Sequence, residues 1–129
     1  MNPASLSHLK LWRGFGRFLI LAMLVVSVLP MPRGIGAVPM GDKIGHALAF
    51  CGLVLFYAQL YPLRRDRWRC VLGAIAFGAL IEVVQSFVPY RSAEFLDLVA
   101  DAVGAVSGLL LASTPLGAVL RRWDSPRPA

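Results

Sequence analysis

Four stretches of the chain are nearly unbroken runs of apolar residues, and each is bounded by charge or by proline. The first, "FGRFLILAMLVVSVLPM", covers 15–31; the others lie at about 44–61, closed by Pro62, about 70–88, closed by Pro89, and about 95–113, followed by Pro115. Each is near the length of roughly 20 residues that crosses about 30 Å of hydrocarbon at 1.5 Å per residue. Lipid offers the backbone no hydrogen bonds, so such runs satisfy their peptide groups internally, as helices. Short connections make consecutive helices antiparallel. The pattern predicts an all-α integral membrane protein, a four-helix antiparallel bundle over 15–116 between cytoplasmic tails at 1–14 and 117–129. Lys10, Arg13 and Arg17 before the first run also fit a cleaved signal peptide, but "PMPRGIGAVPM" is a poor cleavage site, so a retained helix is expected. Pro30, Pro32 and Pro39 make the connection after it non-helical, since proline has no amide donor.

Composition strengthens this reading. Apolar residues make up 57% of the chain and charged ones 16%, against about 25% in a soluble domain; mean hydropathy is +0.67. The net charge of +6 brings nucleic acid to mind, yet no solvated basic motif accompanies it, and nucleic-acid binding is not expected. The charge instead follows the positive-inside rule. With the N-terminus cytoplasmic, that side holds Lys10, Arg13, Arg17, Arg64, Arg65, Arg67, Arg69, Arg121, Arg122 and Arg127, and the outer side only Arg33, Lys43 and Arg91. Both termini are therefore expected in the cytoplasm, with outer loops at 32–43 and 90–94. The run of arginines at 64–69 reads as a topology determinant, and His8 as a solvated tail residue. Cys51 and Cys70 fall on different spans and suggest neither a disulfide framework nor a CxxC site.

Nearly all the remaining ionisable residues collect at the outer end: Asp42, Lys43, His46, Glu82, Arg91, Glu94, Asp97 and Asp101; of the carboxylates only Asp66 and Asp124 fall on the cytoplasmic side. Helical spacing sorts them onto faces. Asp42 and His46 share one face, which continues through Ala49. Gly78, Glu82, Gln85 and Pro89 form a stripe on the third span; Asp97, Asp101, Gly104 and Gly108 form one on the fourth. A single Asp or Lys at mid-span costs about 2.5–3.5 kcal/mol on insertion scales. The polar stripes are thus expected to face one another, with Glu82, His46 and Asp101 meeting inside the bundle. Gly78, Gly104 and Gly108 would let the backbones approach, and the GxxxG pair reads as internal packing rather than a homodimer seam. Asp97 and Asp101 repel each other when both are ionised, and Arg91 or Lys43 would offset that. Arg91 is expected to turn inward, toward Glu82, Asp97 or Asp101.

These residues resemble the VanZ-like family of small bacterial membrane proteins. "GDKIGHALAF" and "IEVVQSFVPYRSAEFLDLVADAVGAVSG" carry the resemblance: Asp42, Lys43 and His46, then Glu82 and Gln85, Arg91, and finally Asp97, Asp101, Gly104 and Gly108. Many members have Asn where Asp101 stands. The resemblance covers about 41–111. It implies a four-helix protein of the bacterial inner membrane, linked to cell-envelope chemistry and to low-level glycopeptide (teicoplanin) resistance, the phenotype of the namesake.

Three classes of function fit. The reading adopted is non-enzymatic: a polar site at the periplasmic end of the bundle, formed by Asp42, Lys43, His46, Glu82, Gln85, Arg91, Asp97 and Asp101. Its partner would be membrane lipid, through a lipid-linked envelope precursor or another anionic headgroup held by Lys43 and Arg91. A membrane-embedded enzyme is the first alternative, metal-dependent or acting on lipid headgroups through His46, Glu82, Asp97 and Asp101. Against it, the sequence has no HExxH pair, no nucleophile-elbow or phosphatase context around Ser86 or Ser92 and no cofactor motif; neither metal nor cofactor is expected. A structural or partner-docking bundle is the second alternative. The sequence sets no oligomeric state.

Overall fold

The computed structural model describes residues 1, 3–30 and 40–126; Arg33, Arg127 and most of the expected outer loop at 32–43 lie outside them. Among the described residues every regular element is helical. α1 is Leu9–Val28, α2 Gly41–Leu60, α3 Arg64–Ser86 and α4 Phe95–Leu111; a 3-10 turn at Pro115–Ala118 and a short α5 at Val119–Trp123 follow. α1, α2 and α3 are each long and apolar enough to cross a membrane, and α4 supplies a fourth span if it is joined to 115–123 across a bend of 75°. The first three helices begin before the apolar runs that predicted them. Hydropathy marks the stretch that meets hydrocarbon, whereas helical hydrogen bonding continues into charged boundary turns such as 64–69. α4 stops at Leu111, before the expected 113, because Pro115 cannot donate and Thr114 caps the following turn by accepting from the Leu116 amide.

α2 and α4 pack most closely, and glycine explains why. A β-carbon at Gly104 would overlap the Ala47 carbonyl, and one at Gly108 the Cys51 carbonyl. The GxxxG pair therefore lies inside the bundle, where it brings backbone against backbone. Phe50, Val54, Val71, Ala74, Ile81 and Ala105 fill the centre between α2, α3 and α4. On α4 the opposite face, Leu96, Val99, Val103 and Leu110, is exposed, as are Leu11, Phe18, Leu21 and Val25 on α1. A soluble monomer rarely tolerates apolar patches of that extent. Hydrocarbon is their natural solvent, and the molecule is a membrane bundle. Cys51 and Cys70 are both free thiols.

The ends of the chain differ from simple tails. α1 begins within the expected tail 1–14, and the residues before it dock on the base of α2: the Ala4 amide donates to the Leu60 carbonyl at 2.7 Å, and Leu6 is buried beside it. Ser7 donates its amide to the Asp124 carbonyl at 2.9 Å. The Asp124 carboxylate lies 2.6 Å from His8 Nδ1 and accepts from the His8 amide and from Trp12 Nε1. His8 is thus solvent-exposed but anchored, not a free tail residue. At the same end the Leu120 amide donates to Gln59 Oε1, Arg69 pairs with Asp66 at 2.9 Å, and Arg67 Nε donates to the Ala58 carbonyl. Part of the arginine run therefore closes helix contacts as well as carrying charge.

Candidate functional site

The antiparallel order brings the C-terminal turns of α1 and α3 and the N-terminal turns of α2 and α4 to one end of the bundle. The predicted polar residues all lie there, but they divide into three groups with different partners.

The innermost group is His46, Glu82 and Asp101, one residue from each of α2, α3 and α4. His46 Nδ1 is 2.8 Å from Asp101 Oδ1, and its Nε2 is 4.0 Å from Asp42 Oδ1 on the preceding turn. Glu82 Oε2 accepts from the Glu94 amide at 2.8 Å. One potential ligand atom from each of His46, Glu82 and Asp101 lies within 4.8 Å of the others, and the same holds for Asp42, His46 and Asp97. Asp101 is completely buried. Among the described residues, its Oδ2 and Glu82 Oε1 are buried oxygens with no hydrogen-bond partner. Gly78 makes this approach possible, since a β-carbon there would collide with the Asp101 carboxylate.

The second group is an ion triad. Lys43 Nζ sits 2.7 Å from Glu94 Oε2 and 3.1 Å from Asp97 Oδ1, joining the first turn of α2 to the start of α4. The ammonium beside Glu94 holds its carboxyl below the usual carboxylate range. Asp97 and Asp101, feared as a repelling pair, thus have separate counterparts: Lys43 for one and His46 for the other. Glu94 was counted among the charges of this end but not among the site candidates; its loop position hid its role.

The third group secures α1. A helix leaves the carbonyls of its last turn without internal partners. Here Gln85 Nε2 and Arg91 Nε both donate to the Ser27 carbonyl, at 2.9 and 3.0 Å, and the Tyr90 hydroxyl donates to the Val28 carbonyl at 2.8 Å. This overturns the expected inward turn of Arg91: among the described residues it forms no ion pair with Glu82, Asp97 or Asp101. The open carbonyls of a helix end attract it instead. Gln85 likewise points to α1 and stands apart from the carboxylates. Ser27 was not foreseen; the signal available was its place in a final helical turn, three residues before Pro30.

Between α1 and the rest of the bundle lies a cavity of about 470 Å³. Leu19, Met23 and Val26 of α1 and Phe50 and Ile81 line its apolar part, while Asp42, His46 and Arg91 reach its polar end. The cavity thus opens an apolar slot onto the edge of the innermost group.

The chain matches the VanZ/LLP1 family over residues 4–119. It is 38% identical over 77 residues to an uncharacterized protein of Schizosaccharomyces pombe, a match covering 57% of this chain and 48% of the yeast protein. The chain therefore aligns with about half the length of that curated relative. No solved structure matches it.

Proposed function

The chain belongs to the VanZ/LLP1 family, and we propose that it acts without catalysis, as a membrane protein that binds an anionic lipid in the slot between α1 and α2–α3. One observation carries this reading: Arg91 stands at the polar end of a cavity with largely apolar walls and, among the described residues, has a backbone carbonyl rather than a carboxylate as its partner. Its Nε is engaged, and the rest of its planar fork is free of any described ion pair. Such a fork matches the two oxygens of a phosphate. Lys43, the other described cation at this end, is already neutralised by Glu94 and Asp97. The apolar walls suit an acyl chain.

The matched relative is a yeast protein, so the ligand class is set by chemistry, an anionic headgroup, rather than by one type of envelope. In a bacterial inner membrane with both termini cytoplasmic, the same slot would face the periplasm. A lipid-linked envelope precursor would then be its ligand, and glycopeptide resistance a plausible phenotype to assay.

The test is lipid retention by purified protein, read by native mass spectrometry against matched anionic and zwitterionic phospholipids. Wild type should retain the anionic lipid in preference. Arg91→Gln should lose that preference by about tenfold, as expected for one charge-assisted hydrogen bond, and Arg91→Lys should keep part of it. Equal retention of both lipids by wild type would sink the reading. In cells, the teicoplanin susceptibility of a strain lacking the protein, complemented with wild type or Arg91→Gln, tests the phenotype.

A further inference from the structure

We infer that His46, Glu82 and Asp101 form a binding site for a divalent transition-metal ion, with zinc the first candidate, inside the bundle. The inference concerns a different set of atoms from the lipid reading and does not depend on it.

The balance of charge is the first ground. Five carboxylates gather at this end, those of Asp42, Glu82, Glu94, Asp97 and Asp101. Lys43 is shared between Glu94 and Asp97, and Arg91, whose Nε donates to the neutral Ser27 carbonyl, forms no described ion pair with any of the five. Among the described residues, Glu82, Asp101 and the adjacent Asp42 are left facing a single imidazole. Buried carboxylates require a counter-charge, a proton or a metal. The second ground is independent: Asp101 is wholly buried, and among the described residues its Oδ2 and Glu82 Oε1 are both orphaned. Buried acceptors without donors are rare in native proteins and call for an explanation.

The donor set and its setting favour a metal. Three helices each contribute one potential ligand atom, all within 4.8 Å of one another. One imidazole and two carboxylates suit zinc or manganese, and the absence of thiolate among them disfavours soft copper(I). Supporting contacts already orient the ligands: Glu82 Oε2 is fixed by the Glu94 amide, and Gly78 admits the Asp101 carboxylate. Such outer contacts typically matter for metal affinity. The cavity that reaches His46 provides an entry path. Three protein ligands also leave room in a tetrahedral shell for water or an anion.

The test uses the full chain in detergent, stripped with a chelator, dialysed against Zn²⁺ and assayed for bound metal by plasma mass spectrometry. Wild type should retain close to one equivalent, and Zn²⁺ should raise its unfolding midpoint. Glu82→Gln and His46→Gln should each weaken binding at least about tenfold, the range seen for losses in a metal's surroundings. Without metal, Glu82→Gln should unfold no lower than wild type, because it removes an uncompensated charge, yet gain nothing from Zn²⁺. That crossing separates a metal site from a polar core neutralised by protons, in which Zn²⁺ would shift neither protein. No retained zinc in wild type, or retention undiminished in both variants, would overturn the inference. Lipid retention measured on the same samples with and without Zn²⁺ keeps the two proposals separable.

Discussion

Gly104 has no space for another carbon. Its α-carbon faces the Ala47 carbonyl, so the obstacle to a side chain is backbone, which cannot rotate aside. Gly104→Ala should therefore cost about 1–3 kcal/mol, the usual penalty for overpacking, measured by unfolding in detergent. Lys43 poses a different kind of problem, since its loss strands the buried Asp97. Lys43→Met should lower the unfolding midpoint more than Glu94→Gln does, because Glu94 remains half exposed and water can serve it. At this scale the sequence was informative about faces and less so about pairs. Spacing of four placed Asp97 and Asp101 on one stripe and set His46 and Glu82 against Asp101. Only the folded arrangement gave Lys43 to Asp97, since pairing depends on the rotation and height of neighbouring helices.

Among the four long helices, α1 is the least buried, and it owes its upper attachment to side chains from the last turn of α3 and the loop beyond it. Tyr90→Phe deletes one of the three donors that serve its final turn, and a loss of about 0.5–1.5 kcal/mol is expected. The entry to α2 is strained: Met40 adopts φ 61°, ψ 9°, the left-handed conformation, as the residue before Gly41. A side-chain-bearing residue pays about 1–2 kcal/mol there, and glycine returns part of that gain as lost chain entropy. Met40→Gly should thus stabilise the protein by about 0.5–1 kcal/mol, seen as a higher denaturation midpoint. The four long helices and their order were readable from hydropathy, because lipid imposes length and polarity together; the short α5, placed in the expected tail 117–129, was not. The helix ends were not, since they depend on caps. The partners of Ser27 could not be read at all, because backbone carbonyls leave no trace in residue type.

For the whole molecule, the clasp between the two ends of the chain gives a pH test. His8, with Trp12, holds the Asp124 carboxyl below its usual range. A carboxyl depressed by folding contributes stability that is complete above its unfolded value, about 3.9, and disappears as pH falls through the lower folded value. Thermal midpoints of wild type should drop through that acid window, and those of Asp124→Asn should drop less. Both ends of the described chain lie on one side of the bundle. We expect that side to be the cytoplasm, on the positive-inside rule. In a background without Cys51 and Cys70, cysteines placed at Arg67 and Ser125 should be labelled from the same face and one at Ser92 from the opposite face. Labelling of the Arg67 position from outside the cell would reverse the orientation. The clasp was invisible in the sequence, because its residues lie more than a hundred positions apart and follow no periodic pattern. It has a mechanical consequence. α1 is fastened at its base through Asp124 and at its top through Ser27, while the stretch between, with Leu19, Met23 and Val26, forms one wall of the cavity. A helix pinned at both ends and bordered by a cavity along one side of its middle resembles a bowstring, and we expect its middle to yield outward before either fastening opens.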